Sequence, residues 1–260
     1  WHFWLAEVRE FRRIQEGAEP FPLDNVFDVR ASVARIRLEG TYMEESELFD
    51  LKRSLETIIA IVKFLSAGDE LPNGDIQHTY PALYALADGV ATFPILVQRI
   101  SQIIDKFGKM RDSASPDLLQ IRRELARMES SISRTLNRIL HSAQSEGVVD
   151  RDVTPTMRDG RLVIPVAPGM KRKISGIVHD ETVEANNKIR ELENEERKEI
   201  IRILREFAKL VRPHIREILD SYHFLALIDF IRAKAELARM FKAIEPEVGT
   251  EPYVDFSSYL

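Results

Sequence analysis

Between Gly147 and Glu181 the period of the sequence changes, and this change constrains the fold more than any other feature of the chain. Upstream, from about Leu118 to Ala143, apolar residues recur by threes and fours, as on one side of a long helix. Downstream, from about Val183 to Val211, a helical pattern resumes. Inside the interval the residues alternate or run β-branched. A chain that leaves one long helix, forms a short β unit and re-enters another must carry that unit at the end of a helical hairpin. Such an arm is a shape for reaching around a partner.

The first helix has clear limits. Pro116 suits a first turn, with Ser115 as its cap. Positions Leu118, Ile121, Leu125, Met128, Ile132, Thr135, Ile139 and Ser142 alternate by three and four, which predicts a seam against a partner helix. At 1.5 Å per residue its 26 residues span roughly 39 Å. In the island, Val153 to Met157, Arg161 to Val166 and Lys173 to Val178 read as strands. Asp159-Gly160 is a two-residue hairpin signal, and Pro165 and Pro168 predict strand ends or edges. In the return helix Ile189, Leu192, Ile200, Ile203, Phe207 and Leu210 form the stripe, and the stretch Glu191 to Glu199 is charged and solvated.

The flanks read as helices too. Trp1 to Glu16 is amphipathic and stops before Pro20 and Pro22. Asp28 is placed to cap a short helix through Ile36, ended by Gly40; Thr41 is placed to cap the next, Glu44 to Leu65. A polar turn, Gly68 to Gly74, leads to helices near Pro81 to Asp88 and Pro94 to Lys106. Pro213 breaks the chain before a very apolar last helix, Ile215 to Phe241. The expected fold is mainly α with a small β insertion: a helical core plus long antiparallel lever helices bearing a β clamp. The divisions are 1–117 core, 118–146 lever, 147–182 clamp, 183–212 return lever, 213–245 core and 246–260 linker.

Composition narrows the chemistry. The chain has no cysteine, so thiol catalysis, disulfides and cysteine-ligated zinc are excluded. No run of about 18 apolar residues predicts a membrane span. The start, Trp1-His2-Phe3-Trp4, lacks Met and a signal-peptide pattern, and reads as the inside of a helix from a longer chain. A net charge of -5 argues against a generally basic nucleic-acid binder, though a local basic patch still acts at short range. The island supplies one. Arg151, Arg158, Arg161, Lys171, Arg172 and Lys173 face Asp150, Asp152, Asp159, Asp180 and Glu181. Cations at a β tip contact phosphates without reading bases; the plainer reading is a solvated charged hairpin.

Other candidates weigh less. His179-Asp180-Glu181 does not suit a metal, because neighbours on a strand point to opposite faces. Asn186-Asn187 reads as helix-start chemistry. His141, His214 and His223 lie on helices without an acid and nucleophile at a readable spacing, so no catalytic residue is assigned.

Three runs carry a family resemblance: Arg158-Asp159-Gly160-Arg161-Leu162-Val163-Ile164-Pro165-Val166, then Gly176-Ile177-Val178-His179-Asp180, then Val183-Glu184-Ala185-Asn186-Asn187. In this order they resemble the core and clamp region of MutS-type proteins. Phe27-Asp28-Val29-Arg30 and Gly40-Thr41-Tyr42-Met43-Glu44-Glu45 are similar to the second bacterial branch, over most of residues 1 to 245. That branch lacks the mismatch-reading N-terminal domain and is associated with recombination control and with ribosomes. The chain departs from the pattern twice. Glu181 joins Thr182 directly where the family has about a dozen more residues, so an intervening stretch is expected there. The chain also has no G-x-x-x-x-G-K-[ST] loop. The resemblance implies a non-catalytic clamp of a cytoplasmic, homodimeric ATPase that embraces DNA or structured nucleic acid, in recombination control or DNA repair. Arg158, Arg161, Lys171, Arg172 and Lys173 would be its contacts. ATP and Mg would belong to the parent protein, with no cofactor in this chain. The alternative is a coiled-coil module that docks on a protein or a ribosome.

Overall fold

The computed structural model describes residues 2–158, 161–170 and 181–246, and the chain divides into two compact units. One is Trp1–Ser101 with Phe207–Leu260; the other is Gln102–Glu206. The protein is mainly α with a small β insertion.

The first unit is helical. Helix α1 (His2–Glu16) packs on α4 (Pro81–Ala87) and on the last helix, α8 (Ile215–Met240). The short α2 (Arg30–Arg35) also meets α8, and α3 (Glu45–Leu65) meets α4. On α3 Leu48, Leu51, Leu55, Ile58, Ile61 and Leu65 are buried along one stripe, while Ile59 and Val62 beside it are half-buried. Helix α5 (Pro94–Ile103) starts in this unit.

Long-range polar contacts fix how these helices join. Glu10 of α1 is buried, and its two carboxylate oxygens accept from Ala82 N at 3.0 Å and Leu83 N at 2.9 Å. It satisfies orphan amides at the start of α4, next to Pro81. Ser54 Oγ accepts from Phe27 N at 3.0 Å and donates to Phe27 O at 3.2 Å, which fastens the extended segment before α2 onto α3.

Two expected caps take a different form. Thr41 donates to Arg35 O and Leu38 O and so closes the loop after α2. The start of α3 is capped by Glu44 and Glu47 in a reciprocal box, and Glu47 also accepts from Ser32 and Arg35. A glutamate within reach of three donors wins over a local threonine. Asp28 accepts from Arg30 N at 3.2 Å one residue before the N-cap, Val29. Of the turn expected at Gly68 to Gly74, the first three residues form a strand, β1 (Gly68–Glu70), which pairs antiparallel with β2 (Ile76–His78), and the rest makes the connection. A Cβ on Gly68 would lie 2.4 Å from Gln77 O, so only glycine allows this approach.

In the second unit the chain turns at Ile104↔Met110 and enters α6 (Pro116–Ser145). At 30 residues α6 is about 45 Å long. Gly147, at φ +70°, ends it in the left-handed conformation glycine favours, and Val148 N returns to Ala143 O at 2.9 Å. Strands β3 (Thr156–Arg158) and β4 (Arg161–Val163) pair antiparallel. They are shorter than expected because Pro155 and Pro165, which lack an N–H, bracket them.

Helix α7 (Glu181–Val211) then runs back and ends at a 3-10 turn holding Pro213. It starts at Glu181 and is continuous through Thr182, so no turn forms at the expected insertion point. Asn186 and Asn187 therefore lie inside the helix, not at its start, and do not cap it. The expected strand Lys173 to Val178 lies outside the described residues.

Candidate nucleic-acid interface

The arm is built within the Gln102–Glu206 unit. Ser115 Oγ caps α6 by accepting from Leu118 N at 3.0 Å, and it donates to Glu199 Oε1 of α7 at 2.6 Å. Two turns further along α6, Arg122 Nε donates to Glu196 Oε1 at 2.7 Å, and its Nη1 donates to Asp112 at 2.5 Å and to Met110 O at 2.9 Å. As residue numbers rise on α6 they fall on α7, so the two helices are antiparallel at this level. Arg202 hydrogen-bonds Glu199 at 2.6 and 2.7 Å. That bond, with help from Ser115, holds the Glu199 carboxyl below the usual carboxylate range although burial opposes it.

The expected seam of α6 is buried at Leu118, Leu125, Ile132 and Ile139 and half-buried at the alternate positions. Near the far end Leu136, Leu140 and Ala143 join it. This drift is what a straight helix of 3.6 residues per turn does against a 3.5 pattern, about 20° per heptad.

At the far end Leu140, Ala143 and Val149 form a small core with Val148, Val153, Ile164 and Val166 against it. Gln144 Nε2 donates to the carbonyls of Asp150, Arg151 and Val153 at 3.2 Å each. Together these contacts seat the β hairpin on the end of α6. In its register Arg158 is the Cα partner of Arg161, so two cationic residues flank the turn.

The expected contact residues are placed unevenly. The Arg158 side chain is exposed at the end of β3. Arg161 is described by its backbone alone, and Lys171, Arg172 and Lys173 lie outside the described residues. Arg151 is exposed in the turn before the hairpin. Reading α6 for its apolar seam alone passes over its opposite face, which carries Arg123, Arg127, Arg134 and Arg138, all exposed. Their recurrence by four and seven residues is the sequence signal for it. Among the described residues no group of three or more His, Asp or Glu is gathered to hold a metal ion. No described helix is long and apolar enough to cross a membrane.

The chain is 32% identical over 263 residues to the Endonuclease MutS2 of Symbiobacterium thermophilum, covering 96% of this chain and 32% of that protein. It is 31% identical over 264 residues to that of a Geobacillus species, covering 96% of this chain and 33% of the relative. The Enterococcus faecalis Endonuclease MutS2 is 30% identical over 266 residues, covering 97% of this chain and 33% of its own length. The chain thus spans about a third of the length of the curated relatives it matches. No family model matches it.

Proposed function

The chain belongs, over the segment it shares with them, to the second bacterial branch of MutS-type proteins, and from that premise we propose that it is a non-catalytic clamp for nucleic acid. The observation that carries this reading is the hairpin with Arg158 and Arg161 across its turn, seated on the end of a 30-residue helix. Cationic residues there meet phosphates and leave bases unread, so binding is salt-sensitive and tolerant of sequence. Lys171, Arg172 and Lys173 follow within the same island and add to that charge. The remainder of a chain with net charge -5 is acidic on balance, which disfavours a polyanion away from cationic patches.

In this reading the parent protein is a cytoplasmic homodimer acting in recombination control or DNA repair. ATP and Mg would be held outside residues 1–260, because these residues supply no glycine-rich phosphate loop. The purified chain should not turn over ATP.

The test is a charge reversal of Lys171, Arg172 and Lys173 to Glu, together with R158Q and R161Q. Duplex DNA binding is followed by fluorescence anisotropy across a salt series. The parent chain should bind with log K falling by about 0.9 per log salt for each phosphate engaged, and the variant should lose most of that slope. Equal binding and equal slope would replace this reading with docking on a protein or ribosome surface.

A further inference from the structure

The solvent face of α6 carries a second cationic feature. Arg123, Arg127, Arg134 and Arg138 are all exposed, and at 3.6 residues per turn their directions fall within about 60° of one another. His141, also exposed, lies in the same sector. The buried positions Leu118, Leu125, Ile132, Leu136 and Ala143 point roughly half a turn away. From Arg123 to Arg138 the row runs about 22 Å along the helix.

Among the described residues these arginines have no charge partner. Arg123, Arg127 and Arg138 make no hydrogen bond or ion pair among the described residues. Arg134 reaches only Ser130 O of its own helix, at 3.3 Å. The carboxylates of α6, Asp117, Glu124 and Glu129, project roughly 60° or more away from the row's mean direction. Arg123 with Arg127, and Arg134 with Arg138, are like charges four residues apart, an arrangement that works against an isolated helix. Elsewhere the chain uses the favourable version, as in Lys52–Glu56 at 2.8 Å on α3. A helix that forgoes this pairing twice on one face keeps those charges for something outside itself.

The residue type narrows the partner. α6 has five arginines and no lysine. A guanidinium presents a planar fork that matches phosphate with two parallel hydrogen bonds. Duplex DNA offers one charge per 3.4 Å on each strand, so about six phosphates of one strand lie along 22 Å. We propose that this face of α6 is a phosphate-contacting track, along which a nucleic-acid strand lies on the arm itself as well as at its tip. The inference deepens the clamp reading, and its supporting observations come from α6 alone.

The test compares the chain with R123Q/R127Q/R134Q/R138Q and with the corresponding four-lysine variant, using labelled duplex DNA and labelled single-stranded RNA of mixed sequence. Both variants are first checked for helicity against the parent chain by circular dichroism, since exposed glutamine and lysine both suit a helix. The glutamine variant should bind at least about tenfold more weakly at low salt, with a log–log salt slope shallower by about 0.9 for each phosphate released. The lysine variant should keep the slope. Unchanged affinity and slope in the glutamine variant overturn the track, and leave the clamp reading standing if the tip variant still loses binding. Loss confined to the glutamine variant supports the track and removes the tip. Stronger competition by polyglutamate than by DNA of equal charge would assign the face to an acidic protein and overturn the inference. Failure of the chain to bind either nucleic acid at low salt overturns both.

Discussion

Ser115 serves both helices of the arm with one hydroxyl, accepting from Leu118 N and donating to Glu199. Glu199 is 8% exposed and its carboxylate is held ionised mainly by Arg202. A carboxyl with its folded value below the ordinary 4.5 stabilises the fold above that pH, and the contribution disappears as pH falls below it through the folded value. Glu199→Gln should therefore cost about 1.5–3 kcal/mol at neutral pH, the usual worth of a hydrogen bond to a charged group. Its urea-unfolding stability should also decline less than the parent's on acidification below pH 4.5. An acid limb as steep in the variant as in the parent would mean that other carboxylates carry it. Glu10 shows the same economy in the core, where one buried side chain closes two amides of another helix.

The long helices set the register of the arm. Ser115 pairs with Glu199 and Arg122 with Glu196, so the turn of α7 that carries Leu192 lies level with Leu125. Both leucines are buried. The apolar stripes alone also allow Leu125 to be matched with Phe207, but Phe207 lies about 22 Å further along α7. Cysteines at Leu125 and Leu192 should be joined within one chain by a short bifunctional thiol reagent, read as loss of both free thiols at monomer mass. The pair at Leu125 and Phe207 should not. Efficient closure of the second pair would refute the register.

At the scale of the whole molecule, the chain contributes its core helices from both ends of the sequence, with the Gln102–Glu206 unit between them. In the proposed parent dimer two arms act on one polyanion. Linking two weak sites raises the apparent affinity by about 10²–10⁴ without a new contact. The chain alone should therefore bind duplex DNA weakly, and the full-length dimer should bind it tighter by at least tenfold. Dilution of the parent below its dimer dissociation constant should return its affinity to that of the chain. Equal affinity for chain, monomer and dimer would remove the two-arm reading.

Much of this was legible in the residues. Prolines 20, 22 and 213, the Ser115-Pro116 start and Gly147 end helices through local sterics that act within one turn. The switch to period two announced the hairpin, and Asp159-Gly160 marked its turn. These signals survive because each depends on neighbours a few residues away. The cationic tip could be read as charge, and the row on α6 could be counted, but which face of that helix is free depends on what buries the other. Tertiary structure alone decided that Glu44 and Glu47, not Thr41, cap α3, that Gly68 pairs closely with Gln77, and that Glu10 caps α4 from α1. It also chose the lever register, through side chains 74 and 84 residues apart. A periodic stripe fits its partner almost equally well one heptad away, and only specific polar pairs between distant residues remove that degeneracy.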